Sequence, residues 1–289
     1  MNLKDIFIVL VLYKTSLEDS KTIQTLLSIL EDNTNLMVFD NSPISQYSSS
    51  KFQFYNFTVN YYHDGSNPGL SHAYNLALTK AGQTNSKWLL LLDQDTTLTV
   101  EYAKEIVSLQ KNEMSKNVVA IMPRVVSLLG DKIIAPTKMS LGGICRPISA
   151  ASGIVKKRIS GINSGTLLNV SFMNSINGFS TNYSLDMLDH WYFREIMNNE
   201  KDVYLLQSSI KQDLSIYGNF EENVSLSRYQ QLLNAESNFI KEEGFLSLLL
   251  FKLRLVSRIL KQISYKNKEY YKITLTEVFS FSKRTKQFS

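Results

Sequence analysis

The chain has 289 residues, 44% of them hydrophobic and 20% charged, with a formal net charge of +5. That balance excludes a disordered or low-complexity polypeptide, and the length suits one large domain or a domain with an appendage. A single cysteine, Cys145, excludes an internal disulfide framework and a cysteine-based metal cluster, and it fits a reducing compartment.

Charge is unevenly spread. From Lys241 onward 11 Lys and Arg stand against 4 Asp and Glu, whereas the first 240 residues hold 20 against 22. The basic character therefore belongs to the tail.

Residues 6–13 are rich in Ile, Val and Leu and read as a central strand, too short for a membrane span and without a signal-peptide cleavage pattern. Residues 16–31 carry apolar side chains at helical spacing. Residues 36–39 form a second apolar run that ends in Asp40-Asn41-Ser42-Pro43, a turn sequence. This βαβ opening places Asp40 at a strand's carboxyl edge, and no G-x-G-x-x-G dinucleotide fingerprint follows the first strand.

An extended aromatic segment over 52–62 leads to His63-Asp64-Gly65-Ser66-Asn67-Pro68-Gly69. After it, Leu70, Ala73, Tyr74, Ala77, Leu78 and Ala81 keep a helical stripe, with Asn67 expected as N-cap and Pro68 as first helical residue. A helix starting there would offer free backbone N–H groups to an anion.

The stretch 87–97, K-W-L-L-L-L-D-Q-D-T-T, organises the rest. Five apolar residues have the length of a strand buried on both faces, and Asp93 and Asp95 fall at its carboxyl end. Two acids at the ligand-binding edge of an α/β sheet suggest a divalent cation held against phosphate, although a solvated strand end would look the same.

Residues 100–110 read as helix and 118–126 as a strand interrupted by Pro123. Across 127–160, Gly130-Asp131, Gly142-Gly143 and Gly153 punctuate short irregular strands or a mobile loop. Lys156-Lys157-Arg158 reads as a solvated run that could meet phosphate. Residues 163–168 read as a strand with a small-residue start, and Asn177-Gly178-Phe179 as a turn into 183–199. There Asp186 and Asp189, three apart, would share a helical face with His190 one turn from Asp186. Large apolar neighbours would tune a carboxylate as a general base, although ordinary salt bridges fit the same pattern.

Residues 202–207 read as a strand and 224–241 as a long helix. In 245–261, Arg254, Arg258 and Lys261 share one face and apolar residues fill the rest. That pattern fits a helix lying on an anionic membrane surface, or one packed on the main domain with its basic face outward. Basic and aromatic residues alternate over 265–272 and 279–286, but no nucleic-acid-binding module accompanies them, so nucleic acid is not an expected partner.

With these pieces in order the sequence resembles the family 2 glycosyltransferases, and within them the rhamnosyltransferase-like enzymes of bacterial O-antigen and capsule synthesis. The carriers are the first strand, V-F-D-N-S at 38–42, N-P-G-L-S-H-A-Y-N at 67–75, D-Q-D, S-G-T-L at 164–167, and N-G-F with L-D-M-L-D-H-W. The resemblance implies an α/β, GT-A type nucleotide-sugar-binding domain, with a Rossmann-like, mainly parallel mixed sheet, over 1–222. Its donor part would cover about 1–97 and its acceptor part about 98–222, before a helical basic extension at 223–289.

It further implies that Asp40 helps hold base and ribose, and that the segment from Asn67 through Gly69 to Asn75 lies beside the nucleotide. Asp95, with Asp93 nearer the ribose, would hold Mg²⁺ or Mn²⁺, and Asp189, or else Asp186, would serve as base. Many relatives read differently at Asp189-His190-Trp191. The implied reaction is inverting transfer from a dTDP- or UDP-sugar, rhamnose first, to a polyprenyl-diphosphate-linked saccharide at the cytoplasmic face of the plasma membrane.

Two other classes compete. Residues 89–97 also match the nucleophile motif of haloacid-dehalogenase-like phosphatases, with Asp93 phosphorylated and Asp95 as acid/base. That motif usually lies on the first strand, and no acidic pair follows here. A non-catalytic transferase-fold assembly subunit would accommodate the altered 189–191 sequence.

Overall fold

The computed structural model describes residues 5–30, 34–111, 114–128, 132–212 and 220–280. Gly130 and Asp131, expected to punctuate irregular strands or a loop, lie outside the described residues, as does 281–286 of the last basic-aromatic stretch. Two compact units emerge: Met1–Lys138 with Arg146–Asp213, and Met139–Cys145 with Leu214–Ser289.

The first unit opens β1 (Ile6–Leu12), α1 (Lys21–Ile29), β2 (Thr34–Asp40), β3 (Lys51–Phe54), β4 (Phe57–His63), α2 (Leu70–Gln83), β5 (Trp88–Asp93) and α3 (Val100–Lys111). The chain continues through β6 (Val118–Val126), β7 (Ile133–Ala135), β8 (Thr137–Ser140), β9 (Ile144–Pro147), β10 (Gly153–Val155), β11 (Leu167–Asn169), α4 (Val170–Ser175), α5 (Leu188–Asn198) and β12 (Asp202–Lys211). The expected aromatic segment is a hairpin, β3–β4, and α1 starts later than expected, with the Ser20 hydroxyl capping Ile23 N–H.

The main sheet runs β10-β12-β6-β11-β5-β1-β2-β4-β3, with β7 on β6, while β8 and β9 form a separate two-stranded ribbon. Strands β4, β2, β1 and β5 are mutually parallel, as are β6 and β12, and β11 lies antiparallel between the two blocks. A mainly parallel mixed sheet with C-terminal helices is therefore observed. Its centre follows from composition: β1 and β5 are nearly continuous apolar runs, buried on both faces. The stripe of α2 is buried throughout and packs on β1 and β5.

Register sets the working edge. Leu12 pairs with Asp40 and Val11 with Asp93, so the parallel strands finish level. With strands about 4.8 Å apart, two spacings put the ends of β2 and β5 about 10 Å from each other.

The second unit holds α6 (Phe220–Asn223), α7 (Leu226–Glu242), α8 (Phe245–Gln262) and α9 (Glu269–Phe279). Its three long helices enclose a polar knot in which Tyr229 Oη meets Thr274 Oγ1 at 2.5 Å, Gln262 Nε2 donates to Tyr229 at 2.9 Å, and Thr274 donates to Gln262 Oε1 at 2.6 Å. Phe220, Tyr265 and Tyr270 gather around Tyr229. Tyr265 and Tyr270 thus belong to a packed aromatic cluster.

The orientation of α8 corrects the sequence expectation. Arg254 and Arg258 do not form an outer basic face. Both close on Glu236 of α7, at 3.2 and 2.8 Å. No helix among the described residues is long and apolar enough to cross a membrane.

Candidate functional site

The Asp93-Gln94-Asp95 turn is pinned on every side. Thr22, at the start of α1, donates to Asp93 O and accepts from Thr96 N at 3.0 Å, and Ser20 Oγ donates to Gln94 O at 2.9 Å. Gln94 extends the β1 ladder with its side chain, accepting from Tyr13 N at 2.7 Å and donating to Tyr13 O at 3.3 Å. From the other side Asp93 N donates to Ser164 Oγ at 3.0 Å, and Ser164 meets Thr96 Oγ1 at 2.6 Å. Because β11 runs antiparallel, its small-residue lead-in arrives at the carboxyl edge of β5, where the buried Ser164 hydroxyl serves both partners. A turn so held keeps its two carboxylates in one place.

Asp93 is partly exposed and Asp95 is exposed. Gln212, which follows β12, donates Nε2 to Asp95 Oδ1 at 2.9 Å and reaches toward Asp93 Oδ2 at 3.4 Å. Tyr74 Oη of α2 donates to Asp93 Oδ1 at 3.3 Å. Burial and then the charge of Asp95 push the Asp93 carboxyl up to about 7. Burial, and after it the Asp93 carboxylate, hold the Tyr74 phenol well above its ordinary value.

Asp189 joins the group electrostatically. It sits in the first turn of α5, accepts its neighbour His190 N–H at 2.7 Å, and is itself raised, first by burial. Its charge acts on Asp93, Tyr74 and Tyr192. His190 points elsewhere: Nδ1 meets Ser160 Oγ at 2.7 Å.

Asp186 departs from expectation. The chain passes through a left-handed Met187, φ 65°, immediately before α5, so Asp186 precedes the helix and shares no helical face with Asp189. Its charge still raises Asp189.

The donor-side residues fall into two roles. Asp40 is fully buried: Oδ1 accepts Ser42 N–H at 2.8 Å, and Oδ2 accepts Tyr61 Oη at 2.6 Å and Gln46 Nε2 at 2.9 Å. Burial alone would raise it, but those hydrogen bonds hold it below the ordinary carboxylate value. Within the fold it orders the loop after β2. Asn75 likewise has both ends of its carboxamide engaged, donating to Phe179 O and accepting from Phe179 N, each at 2.8 Å. The N-P-G-L-S-H-A-Y-N and N-G-F segments are thus two halves of one joint.

The start of α2 also differs from expectation. Asn67 is exposed and left-handed, φ 54°, and Gly69 occupies the cap position at φ 90° with no side-chain cap. Leu70 and Ser71 N–H already donate to Ser184 O, at 2.6 and 3.3 Å. The carbonyl of another segment fills the place expected for an anion, and a Cβ on Gly69 would lie 2.4 Å from it. Lys156, Lys157 and Arg158 are exposed.

Gln212, Tyr74, Thr22 and Ser164 were not legible as site residues. Tyr74 read as part of an apolar stripe, and Gln212 belongs to no motif.

The donor set suits a hard divalent cation. Two neighbouring carboxylates face Gln212 Nε2, and Gln212 Oε1 is buried with no hydrogen-bond partner among the described residues, so turning the amide over would add a neutral oxygen to the two acids. Among the described residues no three His, Cys, Asp or Glu form a metal site by themselves. The protein would supply part of the coordination sphere and a phosphate ligand the rest.

No family model matches the sequence, and no curated protein is significantly similar to it. Among solved structures it is similar to a crystal structure of GalNAc-T7 with UDP, GalNAc and Mn²⁺, with a TM-score of 0.57 and 13% identity. The match covers 82% of this chain and 48% of that one, so the chain spans about half the length of the protein it matches. The likeness shows the GT-A fold.

Proposed function

We propose that the chain is a metal-dependent glycosyltransferase that moves a sugar from a nucleotide-sugar to an acceptor hydroxyl with inversion. The observation that carries this reading is the convergence of Asp93, Asp95 and Asp189 at the carboxyl edge of a GT-A sheet. The matched structure contains UDP, a sugar and Mn²⁺, which supports a nucleotide-sugar donor here.

Asp95 and Asp93, with Gln212 Oε1, would hold Mg²⁺ or Mn²⁺. When bound, the ion neutralises charge gathering on the departing nucleoside diphosphate, so no general acid is needed on that side. Asp189 takes the proton of the attacking hydroxyl. Burial raises its pKa, which makes it a better proton acceptor than an ordinary aspartate. Tyr74 holds the Asp93 carboxylate and Ser164 the Asp93 backbone in place as the sugar develops oxocarbenium character. One displacement on the face opposite the leaving group inverts the anomeric centre.

The finer reading rests on the sequence resemblance: a family 2 enzyme, a dTDP- or UDP-linked donor with rhamnose first, and a lipid-linked cell-surface saccharide as acceptor at the cytoplasmic face of a bacterial membrane. Calorimetry with UDP, dTDP and GDP, each with and without Mn²⁺, tests the donor site. Selective metal-dependent binding that disappears in Asp95→Ala supports transfer, and absence of nucleotide binding under every condition refutes it. Phosphate release from simple phosphomonoesters without any nucleotide would favour the phosphatase reading instead.

A further inference from the structure

Helix α8 is inverted relative to an ordinary surface helix. Its arginines face Glu236, and Arg254 also donates to Gly143 O. Its outward side is apolar: Phe245, Leu246, Leu249, Leu253, Val256 and Leu260 are each 46–78% exposed. At 3.6 residues per turn these six fall within an arc of about 100° and extend along about 22 Å of helix. Single exposed leucines need no explanation, but a continuous stripe of this size marks an interaction surface.

Charge identifies the occupant. Residues 245–262 include Lys252, Arg254, Arg258 and Lys261 and no acidic residue. With the arginines closed on Glu236, the exposed Lys261 lies beside the stripe, and Lys266 and Lys268, also exposed, follow the helix end. A second copy of the chain seated here would bring its own lysines against these, a like-charge arrangement that costs affinity. An anionic lipid surface complements both features, since acyl chains accept the leucines and headgroups accept the lysines.

We propose that α8 docks the protein on an anionic bilayer through this apolar stripe, lying in the plane of the membrane with its lysines at headgroup level. The arginines that the sequence marked as the contact instead brace the helix from behind. The proposal stands on the second unit alone and does not depend on the reaction assigned to the first.

Flotation of the full chain with phosphatidylcholine vesicles, with and without phosphatidylglycerol, tests it. Wild type should float with the anionic vesicles and lose binding as salt rises, and Leu253→Asp should bind at least about tenfold more weakly with unchanged circular dichroism. Leu253→Trp should show a blue-shifted emission quenched by acyl-chain quenchers. Asp95→Ala should float like wild type, which separates this result from any failure of the nucleotide site. Failure of wild type to float, or full binding by Leu253→Asp, overturns the proposal. Equal flotation on neutral vesicles overturns the role of the lysines. Concentration-dependent self-association abolished by Leu253→Asp, without vesicle binding, assigns the stripe to a second copy.

Discussion

Replacing Asn75 by alanine cuts the joint between α2 and the turn at 177–179. Two hydrogen bonds of 2.8 Å are lost, and both belong to the backbone of Phe179, a residue only 2% exposed. Leaving a buried peptide N–H and C=O unpaired costs about 1–3 kcal/mol each. Asn75 is itself partly exposed, so water recovers some of this, and the expected loss is about 2–4 kcal/mol. Asn75→Asp keeps the acceptor for Phe179 N–H but sets a carboxylate oxygen against Phe179 O, so it should be at least as harmful. Urea unfolding followed by the fluorescence of Trp88 and Trp191 reads both variants, with the midpoint shifting at constant slope. A change below about 0.5 kcal/mol in Asn75→Ala would refute the clamp, because that is the scale of a surface substitution. It would return the carboxamide to the nucleotide-facing role that the sequence resemblance implies.

Asp189→Asn should lower kcat by about 10²- to 10⁴-fold while metal-dependent nucleotide binding by calorimetry stays intact; retained turnover would remove Asp189 as base. In wild type the acid limb of kcat/KM should lie above the ordinary aspartate pKa, because burial raises this carboxyl. Asp40→Asn should cost about 2 kcal/mol near neutral pH, since the hydrogen bonds lost are to a charged acceptor. Its folded pKa lies below the unfolded one, so this contribution is complete above about pH 5 and disappears as pH falls through the folded value. Unfolding curves of the two proteins should therefore converge in acid, and a constant gap would contradict the assignment. Gly69→Ala should destabilise by about 3 kcal/mol or more, because a positive φ and a 2.4 Å approach to Ser184 O act together, and a thermal melt measures it.

Continuous apolar runs made β1 and β5 legible, and period-3.6 spacing made the buried face of α2 legible, because burial on both sides or on one stripe leaves a direct trace in composition. The D-Q-D turn could be placed because β5 had to end where its apolar run ended. Other features depended on partners far away in sequence. Nothing near Asn67 announces that Ser184 will cap α2, and nothing near Gln212 announces two aspartates more than a hundred residues earlier. In α8, periodicity separated arginines from leucines correctly but could not say which side faces inward. A single glutamate on α7, Glu236, decides that.

The reversal of β11 between two parallel blocks has a consequence for biosynthesis. Among the described residues the far edge of β5 is covered by residues 165–170, and its turn is tied by Ser164 and Gln212. A nascent chain that has already exposed residues 88–95 therefore carries an uncovered leucine-rich strand while more than seventy further residues are made. Contacts this distant in sequence form slowly. During that interval the ribosome-bound chain presents an open sheet edge, where chaperone capture and mispairing compete with completion of the site.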